Sequence, residues 1–317
     1  MKMKFRTEIE ISLFDFKIGH QDRLMMVGSC FTENISKKME SAGFSVCTNP
    51  SGIVYNPASI SNNIQAILQN KKYVVADLFE HQGLYHSFEH HGRFSGISAE
   101  DCVAKMNKEI ENANDYLKTA SILIITFGTA FAYTLKSTGE IVANCHKLPE
   151  KMFCRKRLSV SEIIDEWDNL IALCQKYNPE LKMLFTVSPI RHWKDGAHEN
   201  QLSKSTLLLA IDELIKQNNQ CYYFPSYELV MDDLRDYRFY ADDMLHPSDL
   251  AVDYIWEKFS QSFFNKKTIT LIDEWQKIQQ ALSHKPFNPD SKEHKQFLVQ
   301  TEIKLKDFLN NNKEFIQ

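Results

Sequence analysis

Two short blocks hold the residues of this chain best suited to chemistry. At Gly28-Ser29-Cys30-Phe31-Thr32 an apolar run, residues 23–27, ends in glycine, and Phe31, Ile35 and Met39 then recur at helical spacing up to Gly43. The chain must turn there from a buried strand into a helix, leaving small polar side chains at the sheet edge over unpaired helix N–H groups. A thiol in that place is a nucleophile: the positive helix end favours its thiolate, and a neighbouring base can take its proton. Cys30 is therefore the cysteine expected to be reactive. Two other readings stay open, in which Ser29 is only a helix cap and Cys30 a packed small residue, or a turn rotated by one residue makes Ser29 the nucleophile.

The second block is Asp242-Asp243-Met244-Leu245-His246-Pro247-Ser248. Pro247 is expected to open a helix whose apolar face is Val252, Ile255, Trp256 and Phe259, which puts His246 just outside the first turn and Asp243 three residues earlier. The carboxylate can orient the ring or hold its proton while the imidazole acts as general base on the strand-end nucleophile. Both residues are also common capping residues at helix starts, which is the plain structural alternative.

Positioning these blocks requires strands that end near one another. Residues 122–127 run into Gly128, 182–188 into Pro189 and 221–224 into Pro225, each a short buried-strand pattern. Amphipathic stretches at about 99–118, 159–177 and 200–217 lie between them, so strands alternate with helices and a parallel α/β sheet is predicted, with Gly28 and Gly128 side by side. Ligands of such sheets sit at the carboxyl ends of the strands. Arg191 and His192 should project there, and the planar fork of Arg191 suits a carboxylate or phosphate. Residues 77–97 read as a hairpin or irregular insertion around Gly83, and 137–155 as a long irregular loop. Residues 1–265 are expected to form the α/β unit, and 266–317 a helical extension with patterns at about 271–283 and 291–310 flanking Pro286 and Pro289.

Composition narrows the field. Apolar residues make up 43% and charged residues 25% of the 317, with only 10 Gly and 9 Pro, so disordered and collagen-like readings fall away. Charges of 37 basic against 41 acidic, without a long basic run, argue against a nucleic-acid partner. Glu8, Glu10 and Asp15 interrupt the N-terminal apolar stretch, and no membrane-length apolar run exists, so the chain is read as cytoplasmic. The 7 cysteines are irregularly spaced and contain no C-x-x-C pair, which argues against a disulfide framework or zinc ribbon. His81, His86, His90 and His91 lack carboxylate–histidine metal spacing, and no metal or other cofactor is expected.

Taken together, the strand-end nucleophile, Gly128 closing a central strand and the Asp-x-x-His before the last α/β helix resemble the SGNH or GDSL-type esterase superfamily. In its Gly-Asp-Ser-Leu block, Cys30 takes the nucleophile position and Ser29 the Asp position. The chain more closely resembles the GSCFA family, with Thr32 replacing the final Ala of the naming block. Gly52 with Tyr55-Asn56-Pro57, Phe127-Gly128-Thr129-Ala130, Asn144-Cys145-His146-Lys147, Ser188-Pro189-Ile190-Arg191-His192 and Asp243–Pro247 followed by Ala251–Trp256 extend the match over about residues 25–260. The resemblance implies an SGNH-like three-layer fold, with a parallel sheet of about five strands and helices on both faces. It also implies an esterase or acyltransferase acting on an acyl ester or thioester, a carbohydrate or cell-envelope metabolite among the substrates in view.

The superfamily's Gly-x-Asn block carries an oxyanion-donating Asn, where this chain has Ala130. Backbone N–H groups of Cys30 and Gly128 are the expected donors, with Asn144 and Thr129 as side-chain substitutes. The rival is a non-catalytic module on a degenerate esterase fold, binding a sugar or acyl ligand through Arg191, His192 and Asn144. A third reading is a thiol- or metal-dependent enzyme pairing Cys30 with His146 or His246.

Overall fold

Strand β1, Arg23–Gly28, is buried from Leu24 onward, and its side chains alternate between two separate cores, Met25 and Val27 in one and Leu24 and Met26 in the other. A strand apolar on both faces requires helices on both sides of the sheet. The computed structural model, which describes residues 6–12, 14–289 and 291–315, has that arrangement.

Helix α1, Cys30–Ser41, follows β1 and leads to β2, Ser45–Thr48. Helix α2, Pro57–Leu68, precedes a hairpin of β3, Phe79–His81, and β4, Leu84–His86. Helix α3, Ala99–Leu117, then leads to the central strand β5, Ile122–Phe127. Three short strands follow, β6 at Phe131–Leu135, β7 at Ile141–Val142 and β8 at Phe153–Arg157. The chain continues through α4, Val160–Tyr177, β9, Lys182–Val187, α5, Gly196–Gln217, and β10, Cys221–Tyr223. The one-turn α6, Ser226–Glu228, is followed by α7, Asp249–Phe263, α8, Lys266–Ser283, and α9, Lys292–Asn311.

The main sheet has five parallel strands in the order β10-β9-β5-β1-β2. Helices α2 to α5 cover one face, through residues such as Ile64, Ile110, Trp167 and Leu207, while α1 and α7 cover the other through Phe31, Ile35, Ile255 and Phe259. Strand order reverses at β1, with β2 added on one side and β5 on the other, so a crevice opens at the carboxyl ends of β1 and β5, which is where such sheets take their ligands. Gly28 lies opposite Thr126 in that register. Only glycine fits there, because its φ is +137° and a β-carbon would lie 2.2 Å from the Thr126 carbonyl oxygen.

Several expectations are refined. The stretch 137–155 is not wholly irregular: β7 and β8 flank β6 in a small antiparallel sheet. Strand β2 and helix α2 also carry weaker periodicity than their neighbours and escape the sequence patterns. The 77–97 region opens with the anticipated hairpin, turning at Gln82 and Gly83, which both have positive φ. Pro247 does not open α7. Ser248 is its N-cap, accepting a hydrogen bond from the Ala251 N–H at 3.4 Å, so His246 stands further outside the helix than expected.

Helices α8 and α9 pack together through Leu271, Ile278 and Phe308, and Trp275 donates its indole N–H to the Ser41 carbonyl at the end of α1. Among the described residues no helix is long and apolar enough to cross a membrane.

Candidate active site at the strand ends

The β1–α1 turn presents its residues unequally. Ser29 is only 1% exposed, makes no side-chain cap bond, and its hydroxyl has no protein partner among the described residues. Cys30 is half-buried and turned outward, with Sγ 3.9 Å from the His246 Nε2. The turn is held from below by Asn49, whose Oδ1 accepts the Gly28 N–H at 2.9 Å.

His246 and Asp243 form the other half. Nδ1 of His246 lies 2.5 Å from Asp243 Oδ2, while Asp243 Oδ1 accepts the backbone N–H groups of Leu245 and His246, each at 2.9 Å. The backbone N–H of His246, that of Leu245 and the ring itself hold the Asp243 carboxyl down at about 2. An ionised carboxylate needs a donor, so Nδ1 carries the proton and Nε2 offers its lone pair to Cys30. The side-chain cap of α7 is Ser248, not Asp243 or His246, and the Asp243 carboxylate instead bonds within its own loop.

The Cys30 thiol differs from expectation. Burial pushes its pKa up, and the N–H groups of Cys30 and Phe31 and the charge of Lys204 oppose that shift without reversing it. The helix end therefore does not leave a free thiolate.

The expected oxyanion donors are mostly committed elsewhere. The Gly128 N–H is donated to the Tyr55 carbonyl at 2.7 Å, because the loop after Gly52 crosses the ends of β1 and β5, and this corrects its assignment as a donor. Thr129 directs its hydroxyl to Ser203 at 3.1 Å and accepts the Phe131 N–H. Gly52 gives its N–H to the Asn49 carbonyl, and a β-carbon there would strike His91. Asn144 accepts the N–H of His146 at 2.9 Å and so closes its own loop. His146 in turn is buried against His86, with Nε2 2.7 Å from the Ser87 carbonyl, so it belongs to the insertion and does not pair with Cys30. The backbone N–H of Cys30, at the start of α1, has no carbonyl partner in the turn.

His192 and Arg191 do reach the crevice. Nε2 of His192 would lie 3.3 Å from a β-carbon at Gly128, and its ring packs edge-on against Tyr55. Burial, aided by Lys204, pushes His192 down to about 4, so this imidazole is neutral near pH 7. Arg191 lines an adjoining cavity of about 450 Å³ together with Asp243 and Leu245.

Lys204, missed from sequence, lies beneath the crevice with 0% exposure, donating to the carbonyls of Gly128 at 2.6 Å and Ser188 at 2.7 Å. It ties the ends of β5 and β9 together. Burial pushes its ammonium down to about 7. A signal existed: Lys204 sits on the same helical stripe as Leu207, Ile211 and Leu214, where a charged residue is out of place.

A family model described as the GSCFA family matches residues 23–259, and one described as GSCFA domain protein, C-terminal domain, matches 275–315. No curated protein sequence matches significantly. Among solved structures, a Clostridium thermocellum family 3 carbohydrate esterase is similar at 11% identity and TM-score 0.37, with 80% of this chain and 97% of that one covered. An acetyl xylan esterase from the rumen bacterium Butyrivibrio proteoclasticus is similar at 9% identity and TM-score 0.41, covering 80% and 64%. A family two carbohydrate esterase from Clostridium thermocellum, in complex with cellohexaose, aligns at 9% identity and TM-score 0.40, covering 82% and 67%.

Proposed function

The chain belongs to the GSCFA family, and from that premise we propose that it is an acyl-transferring enzyme using a cysteine in the place of a hydrolase serine. The reading rests on one observation, the continuous line from Asp243 through His246 to Cys30 at 2.5 and 3.9 Å. The sulfur attacks the carbonyl carbon of an acyl ester or thioester while its proton passes to Nε2 of His246. The tetrahedral intermediate collapses, the bond to the leaving oxygen or sulfur breaks, and His246 returns the proton to that leaving group. Water or an acceptor hydroxyl, of a carbohydrate or cell-envelope metabolite in this reading, then gives its proton to His246 and attacks the thioester. The Cys30 sulfur departs and regains its proton.

Asp243 stays ionised throughout and holds the ring in the productive tautomer. For the oxyanion, the Cys30 N–H provides one donor. His192 provides the side-chain donor that Ala130 lacks, supported by its position on Gly128 and its neutral ring.

Intact-mass detection of an acyl adduct on Cys30 from an activated ester tests this. The adduct should form in the unaltered protein and in Asp243→Asn more slowly, and should be absent in Cys30→Ala. The rival binding module draws support from the committed Gly128 N–H. It would be favoured if no adduct formed under any ester or thioester while acyl ligands still bound Cys30→Ala unimpaired.

A further inference from the structure

The cavity beside the Asp243–His246 loop is lined by one charged side chain that no carboxylate pairs among the described residues. Arg191 contributes its guanidinium, with Nε buried and without a hydrogen-bond partner among the described residues and one terminal nitrogen 3.4 Å from the Met231 sulfur. A buried guanidinium N–H left without an oxygen acceptor is costly, and a thioether compensates weakly.

The other charges lining the cavity are already matched. Asp243 is held by His246, Arg235 pairs with Asp232 at 3.3 Å, and Asp236 lies 3.9 Å from the Arg238 guanidinium and accepts the backbone N–H of the same residue at 2.9 Å. Arg191 is left as the lining charge that no carboxylate answers among the described residues. Tyr240 brings a hydroxyl to the same wall, and Trp193 is half exposed at the rim.

Cavity and reacting atoms share two loops. Arg191 directly precedes His192, which sits on Gly128, and Leu245 directly precedes His246. A group seated on Arg191 is therefore placed within one small molecule's length of the Cys30 sulfur. The planar fork of an arginine matches the paired oxygens of a carboxylate or phosphate.

We infer that this cavity is an anion subsite, in which Arg191 binds a carboxylate or phosphate carried by the acyl substrate and so selects anionic over neutral esters. The inference deepens the acyl-transfer reading and rests on it for the identity of the reacting group.

Two measurements separate the two claims. In the first, kcat/KM is compared for neutral phenyl acetate, para-acetoxybenzoate and para-acetoxyphenyl phosphate. The unaltered protein should prefer one anionic ester over the neutral one by about ten- to a hundredfold, the size of one charge-assisted pair. In Arg191→Gln that ratio should fall towards one, while Arg191→Lys, which keeps the charge without the fork, should fall between. The better of the two anionic esters identifies carboxylate or phosphate.

In the second, melting temperature is followed against benzoate and inorganic phosphate, with no turnover needed. The unaltered protein and Arg191→Lys should be stabilised, and Arg191→Gln should not. An equal response of the unaltered protein and Arg191→Gln in both measurements overturns the anion subsite, with Arg191→Lys guarding against a folding defect. Failure of all three esters to react, with an Arg191-dependent response to the free anions, instead counts against the acyl-transfer reading and leaves the subsite standing.

Discussion

Two histidine-bearing regions of this molecule invite comparison. In the insertion and the 137–155 loop packed on it, His86, His90 and His146 are buried and bonded to fixed partners: the Ser95 hydroxyl, the Ser87 hydroxyl and the Ser87 carbonyl. At the strand ends, His246 is half exposed, faces an ionised carboxylate on one side and leaves its other nitrogen towards a thiol. The insertion holds more imidazoles and less chemistry. Its rings serve as hydrogen-bonding core residues, because each nitrogen in use meets a group that does not react. In the reading proposed, reactivity follows the partner and the open side, not the local density of histidine.

The sharpest way to break that contrast is to remove one ring from each region. His246→Ala should lower acyl-transfer turnover about 10²- to 10⁴-fold, since a general base contributes on that order. Asp243→Asn should lower it too, but less. Neither should change the melting temperature appreciably, because Ser248 caps the following helix without them. Full turnover in His246→Ala would falsify the catalytic assignment.

A second substitution tests where the strand-end chemistry stops. If His192 is an oxyanion donor, His192→Ala should reduce kcat by about 10²- to 10³-fold with little change in KM, and His192→Asn or His192→Gln should restore part of it. A rise in KM with kcat unchanged would return His192 to a pocket-lining role.

His90 provides the matching test in the insertion. Its side chain is 1% exposed, accepts or donates with Ser87 at 2.9 Å, and packs edge-on against Tyr73. His90→Ala should cost about 1–3 kcal/mol of stability with turnover per folded molecule unchanged. Burial pushes His90 down to about 3, below its ordinary value, so the unfolded chain binds a proton that the native state refuses. Its contribution is therefore full above about pH 6.5 and is lost as pH falls towards 3. The stability gap between the unaltered protein and His90→Ala should narrow on acidification through that window. A gap independent of pH would remove the buried-neutral assignment.

A further test concerns Lys204, which combines the burial seen in the insertion with a place under the strand-end crevice. Its ammonium, pushed down to about 7, binds a proton less readily than in the unfolded chain, so stability rises with pH from about 7 towards the ordinary lysine value of 10.5. The unaltered protein should gain on Lys204→Met across pH 7–9, measured by denaturant titration. A constant difference would place the titration elsewhere.

Much of the architecture was legible. Runs 23–27, 122–127 and 182–188 are mostly apolar segments of strand length followed by Gly or Pro, and β1, β5 and β9 form there. Helices α3 and α4 begin at Ser98 and Ser159 and keep their apolar stripes, so their positions also followed from pattern. Strand β2 did not, because its residues are all half-buried at the sheet edge and present no run. The strands around 131–157 were hidden for a related reason: β8 is Phe-Cys-Arg-Lys-Arg, whose three successive charges erase the apolar signal.

Local chemistry and spacing determined the candidate nucleophile turn at Gly28–Thr32, the Asp243–His246 pair and the parallel α/β class, since strand ends, glycine turns and apolar periodicity are written in neighbouring residues. Three matters belonged to tertiary structure alone. Orientation at the turn separates buried Ser29 from outward Cys30. The path of the loop through Tyr55 withdraws the Gly128 N–H. Helix α5 inserts Lys204 between two strand ends more than fifteen residues away in sequence. Each depends on which atoms from distant segments meet, and a hydrogen-bond partner or a desolvating neighbour supplied by another segment leaves no mark on the residues that it changes.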